Sequence, residues 1–205
     1  MKTLTKQDTL QTLQEGLIQK NPILILMLAL TPVLGVTSIL DQAITLGLQT
    51  LVVLVVSTLV LSLVSTKLSE GMYLAVQVSI AALLVTISQM ALQVINLALY
   101  EEISIYLSLT TLTVVILQRA LITSEGVKPL VATVRNGLYG FGYVVALIIL
   151  SIVRSVFTTG AVNLFGLQLR IFDVVYSFTL LETAFGSLLF LGLVLGYIRS
   201  RKEVK

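Results

Sequence analysis

A chain of 205 residues that is 57% hydrophobic and only 11% charged, with a mean hydropathy of +1.03, excludes a water-soluble domain, where about a quarter of residues carry charge. It contains neither Cys nor His, so it forms no disulfide and lacks the usual protein ligands of zinc, haem and iron–sulfur clusters, together with the commonest acid–base group near neutral pH. The net charge of +3 follows from a sided distribution of Lys and Arg about a membrane, and no nucleic-acid partner is expected; the solvent of this chain is the lipid bilayer.

In chain order, residues 1–21 interleave Leu10, Leu13, Leu17 and Ile18 with Gln, Asp, Glu and Lys at helical spacing. That pattern is too polar for a secretory signal and predicts an amphipathic helix lying on the cytoplasmic interface, with a disordered tail as the alternative. A membrane domain then occupies residues 22–198. A span needs roughly 20 apolar residues to cross about 30 Å of hydrocarbon. Six runs qualify: Pro22 to Leu40, Ala43 to Val64, Met72 to Leu99, Ile103 to Leu121, Gly137 to Phe157 and Phe178 to Ile198. Residues 199–205 form a basic tail with Arg199, Arg201, Lys202 and Lys205.

Six spans put Lys2, Lys6, Lys20, Lys67, Arg119, Lys128, Arg135 and the four basic residues of the tail on one side, and only Arg154 and Arg170 on the other. Basic residues favour the cytoplasmic face. Both termini are therefore expected to be cytoplasmic, in a multi-pass protein of the cell (inner, cytoplasmic) membrane. Three plus three spans also place the two halves in opposite orientations, which is the arithmetic of an inverted repeat. The expected fold is all-α and integral to the membrane, with the first span equivalent to the fourth.

The stretch "LALTPVLGVT" interrupts the first span. Thr31 and Pro32 follow nine apolar residues, about 13 Å of helix, and so fall near the membrane midplane. Pro32 lacks a backbone donor and crowds the preceding turn, freeing carbonyls that protein or a cavity must cover. The residues leave two readings open, a simple proline kink or a broken helix at a functional site.

The run "EGLIQKNPILILMLALTPVLGVTSILDQAITLGLQT", the run "TVVILQRALITSEGVKPLVATVRNGLYGFGYVVALIILSIVRSVFTTGAVNLFG" and the closing "GSLLFLGLVLGYIRSRK" resemble the Rnf/Nqr family, specifically its E-type (Rnf) and D-type (Nqr) members, which are membrane subunits of ion-pumping ferredoxin and NADH:quinone oxidoreductases. The resemblance implies broken half-helices in the first and fourth spans. It also implies a cysteine before the proline of the first span and another, after an Asn, in the fourth, so that two subunits related by pseudo-symmetry hold a two-iron cluster on four thiolates. Here the matching positions are Thr31, before Pro32, and Val114, after Thr113. Both thiolates are missing, and no metal site is expected in this chain. The segment "TTGAV", Thr158 to Val162, is similar to the signature at which related subunits carry covalent flavin. Val162 replaces the threonine acceptor, which leaves a turn after the fifth span.

Among the remaining candidates, Arg119 and Glu182 are ionisable side chains inside predicted spans and stand as candidates for a role in transport or electron transfer. Gly192 and Gly196 form a GxxxG, and Gly137, Gly140 and Gly142 cluster early in the fifth span; such patterns signify close helix packing. The amides Gln49, Gln77, Gln89, Gln93 and Asn96 are expected to satisfy one another or freed backbone. The function implied by the resemblance is a scaffold and conduit in an Rnf/Nqr-like electron-transfer complex. This chain alone would bind no cofactor, and flavin or quinone would be held by partner subunits. Those partners would be a homologous six-span subunit of inverted orientation and other membrane and flavin-carrying subunits. The alternative is an inverted-repeat transporter or membrane scaffold with no redox role.

Overall fold

The computed structural model describes residues 12, 30–64, 69–121, 129–164, 167–170, 183, 185–190, 192, 193 and 196. Five helices follow one another: α1 (Leu30–Val36), α2 (Leu40–Val64), α3 (Glu70–Ile95), α4 (Leu97–Leu121) and α5 (Pro129–Thr159), and a short antiparallel hairpin of β1 (Ala161–Leu164) and β2 (Leu167–Arg170) follows α5. Four of these helices, α2 to α5, are long and apolar enough to cross a membrane. The chain is thus a multi-pass helical membrane protein, with a small hairpin that the all-α expectation did not contain. The segments 1–21 and 199–205 lie outside the described residues except for Thr12, as do residues 22–29 of the first predicted span and about half of the sixth.

Element ends follow from local chemistry. Between α3 and α4 there is one residue, Asn96, where a single long apolar run from Met72 to Leu99 was expected. Its extended backbone stops α3 while its N–H bonds Leu92 O, and its side-chain Oδ1 accepts the Leu99 N–H at 3.1 Å. Asn is among the best N-cap residues because it satisfies an otherwise orphaned donor in the first turn. One residue thereby closes one helix with its backbone and opens the next with its side chain. Helix α5 begins at Pro129, where a missing donor costs nothing and the fixed φ suits a first turn. It ends at Gly160, whose φ of 63° is the left-handed conformation that glycine adopts freely. The turn expected within "TTGAV" is therefore present.

One correction concerns the broken helices. The fourth span is not broken: α4 runs without interruption from Leu97 to Leu121, and no Pro or Gly occurs in that segment to disturb its ladder. In the first span Thr31 and Pro32 are both helical, and the backbone leaves the helix from Thr37 to Ile39. The bond from Thr37 N to Val33 O, 3.2 Å, shows an ordinary helical turn after Pro32, because a proline disturbs the turn that precedes it. That preceding turn lies outside the described residues.

The core sits where α2 meets α5, α4 and α3. Leu46, Val53, Leu54, Ala81, Val85, Ile103, Leu107, Val115, Leu117, Tyr139, Tyr143 and Leu147 close it. Glycines let the backbones approach: a Cβ on Gly140 would come within 2.8 Å of Leu51 and 2.9 Å of Leu54, and one on Gly35 would overlap the Tyr106 ring. The glycine cluster of the fifth span is thus a contact between α5 and α2. No atom lies within 4 Å of a Cβ built on Gly192 or Gly196, so that GxxxG makes no such contact among the described residues.

Candidate functional site

The two positions that the family resemblance singles out differ in access. Thr31 is exposed on α1, and Pro32 beside it is buried. On α4, Val114 is fully enclosed, and the Thr113 hydroxyl donates to Leu109 O at 3.2 Å. Helices α1 and α4 pack against each other, with Gly35 seated on Tyr106. Val114 offers only methyl groups, and its side chain does not reach the surface. A thiolate-held iron–sulfur cluster requires soft anionic donors, so the residues present do not fit that group.

The strongest polar feature near α1 is one that the charge pattern had placed only as a residue of the far side. Arg154 of α5 is buried, with 4% of its surface exposed. It donates to Leu34 O at 2.6 Å and to Thr37 Oγ1 at 2.8 Å, and the Ser155 hydroxyl donates to Ser38 O at 3.0 Å. The last carbonyls of a helix have no intrahelical partner and carry partial negative charge. A guanidinium from α5 supplies both donors and charge there. The bounds Gly137 to Phe157 already enclose Arg154, and an ionisable residue inside a span was the legible sign of it.

A second buried cluster lies toward the other end of the bundle. Gln118 of α4 donates to Ser57 Oγ at 2.7 Å and Thr58 Oγ1 at 3.1 Å, while its own carbonyl receives Gln77 of α3 at 2.9 Å. Gln77 also donates to Val115 O at 3.3 Å, and Asn136 of α5 donates to Thr58 Oγ1 at 3.1 Å. Four helices are tied through five buried polar side chains. Gln77 Oε1 has no hydrogen-bond partner among the described residues. The expectation that amides satisfy one another or the backbone holds for Gln77. Gln49 and Gln89 instead use the hydroxyls of Ser88 and Ser108, each at 3.0 Å, and Gln93 is exposed.

Of the two ionisable candidates, Arg119 is exposed in the last turn of α4. A cation there is favoured by the helix dipole, and its long stem suits a membrane interface. Glu182 lies outside the described residues.

Comparison with known proteins places these features in a family. The profile described as Rnf-Nqr subunit, membrane protein, matches residues 9–194. The chain is 33% identical over 157 residues to the E subunit of the proton-translocating ferredoxin:NAD(+) oxidoreductase complex of Clostridium ljungdahlii, covering 75% of this chain and 73% of that protein. It is 31% identical over 202 residues to the E subunit of the ion-translocating oxidoreductase complex of Pseudomonas paraeruginosa, covering 94% and 84%. Against the protein of the same description in Cellvibrio japonicus it is 31% identical over 152 residues, covering 74% of this chain and 63% of that protein. With a profile match over nearly its whole length and relatives above 30% identity, this chain belongs to the Rnf-Nqr family of membrane subunits.

Proposed function

We propose that this chain is a membrane subunit of an Rnf/Nqr-like, flavin- or quinone-linked electron-transfer complex, and that it serves there as scaffold and conduit without an iron–sulfur cluster of its own. The observation that carries the reading is the family match across residues 9–194, and the relatives are named as E subunits of ion- or proton-translocating oxidoreductase complexes. The cluster-free part of the reading rests on Thr31 and the enclosed Val114, a hydroxyl and a hydrocarbon where thiolates are needed. Electrons would then pass by flavin or quinone held in partner subunits. The partners are a homologous six-span subunit of inverted orientation and flavin-carrying membrane subunits.

In this reading the chain has six spans in two oppositely oriented triplets. Both termini are cytoplasmic, by the bias of basic residues, and the membrane is the cytoplasmic one. Purification of the tagged full chain from native membranes in mild detergent tests the proposal. Stoichiometric recovery of a homologous six-span subunit and of a flavin- or quinone-bearing subunit is expected. A chain that elutes alone, with no redox-active partner, overturns it in favour of the transporter or scaffold reading.

A further inference from the structure

The corner at Asn96 is preformed, since this one residue caps the helices on both sides of it, α3 with its backbone N–H and α4 with its side chain. It is also apolar and bare. Val94 and Ile95 are 89% and 81% exposed, the highest values among the large apolar side chains described, and Leu97 is 51% exposed.

The height of this corner is fixed by its neighbours. Glu102 of α4 accepts the Gln42 amide at 3.1 Å, so it is level with the first turn of α2. Asn96 precedes Glu102 by six residues, about 9 Å along a helix. Glu101 and Glu102 are adjacent exposed carboxylates, and ionised carboxylates stay at or beyond the headgroup level because hydrocarbon does not solvate them. The corner, farther out still, stands above the lipid tails. An apolar surface at that height would otherwise face water, which marks an interaction site.

We propose that the α3–α4 corner is a docking surface for another subunit of the complex. That subunit presents an apolar patch to Val94, Ile95 and Leu97 and a Lys or Arg to Glu101 and Glu102. The charge requirement follows from Glu101, which makes no hydrogen bond or ion pair among the described residues, beside Glu102, whose only described partner is the neutral Gln42 amide. The assignment rests on the reading of the chain as part of a complex.

The absence of native cysteine makes the test clean. Val94→Cys and Ile95→Cys, with Leu83→Cys as a control in the middle of α3, are introduced into the full chain in native membranes. A short thiol crosslinker is expected to join Val94→Cys to a subunit that co-purifies stoichiometrically with the unmodified chain, while Leu83→Cys joins none. A nitroxide at Val94→Cys is expected to be shielded from both dioxygen and a water-soluble relaxing agent in the intact complex. It should gain access to the water-soluble agent alone when the subunits are separated. Glu101→Lys is expected to lower recovery of the crosslinked subunit at least several-fold. High dioxygen access in the intact complex would place the corner in lipid, and free access of the water-soluble agent would leave it unpartnered; either overturns the docking surface while the complex stands. If no subunit co-purifies at all, the reading as a complex subunit fails and the docking surface fails with it.

Discussion

At the scale of single residues, Arg154 and Gln118 carry different kinds of weight. Arg154 contributes two short bonds to the end of α1, and bonds from a charged donor are worth about 1.5–3 kcal/mol. Arg154→Ala is expected to lower stability by about 2–3 kcal/mol and to loosen α1, read as a fall in the thermal midpoint and faster proteolysis between residues 30 and 40. An unchanged midpoint would mean that solvent or lipid headgroups replace the guanidinium. For Gln118 the useful measurement is a cycle. Gln118→Leu alone takes one partner each from the Gln77 amide, which keeps Val115 O, and from the Ser57 and Thr58 hydroxyls, which keep Leu54 O, at about 1–3 kcal/mol in all. Gln77→Leu with Gln118→Leu removes both amides together and is expected to recover a good part of that loss; strict additivity of the two would show that they do not act as a pair. Arg154 was legible as an ionisable residue inside a predicted span, and Gln118 did not stand out. An isolated Gln within an apolar run says that it must find partners, and only the packing of four helices says which.

At the scale of elements, close approach is the theme. Gly35 lies against Tyr106, and Gly140 against Leu51 and Leu54. Overpacking such contacts typically costs about 1–3 kcal/mol. Gly35→Ala is expected to destabilise the protein by that amount, and Tyr106→Leu in the same chain to restore most of it, in thermal unfolding in detergent. A Gly35→Ala protein as stable as the parent would mean that the Tyr106 ring swings away freely. The difference in access between Thr31 and Val114 gives a second expectation. In the intact complex Thr31→Cys should crosslink to the homologous partner, and Val114→Cys should not, because its position is enclosed. What could be read beforehand at this scale was the apolar core of each helix from α2 to α5. The expectation of a broken fourth span came from resemblance and not from the residues of Leu97–Leu121, which contain neither Pro nor Gly. The hairpin after α5 escaped notice for a simpler reason: strands of four residues are too short to establish an alternation.

At the scale of the whole molecule, the sidedness of Lys and Arg yields a topology that can be checked. Reporters fused at Lys205 and inserted near Glu101 are expected to report opposite compartments, and a shared compartment would break the six-span arrangement. The purified complex is further expected to show no cluster signal attributable to this chain by electron paramagnetic resonance after reduction. Stoichiometric iron at Thr31 and Val114 would refute that. Family membership was legible because long matching runs extend over most of the chain, while the partners that complete it leave no trace in a single sequence. Asn96 has one more consequence at this scale. It is the only non-helical residue between Glu70 and Leu121, so an uninterrupted helix over that stretch would be about 52 residues and roughly 78 Å long. No bilayer of about 30 Å could hold such a rod upright. The membrane's own thickness therefore enforces the fold-back, and Asn96→Ala should cost only the roughly 1 kcal/mol of a lost cap while leaving the hairpin intact in lipid.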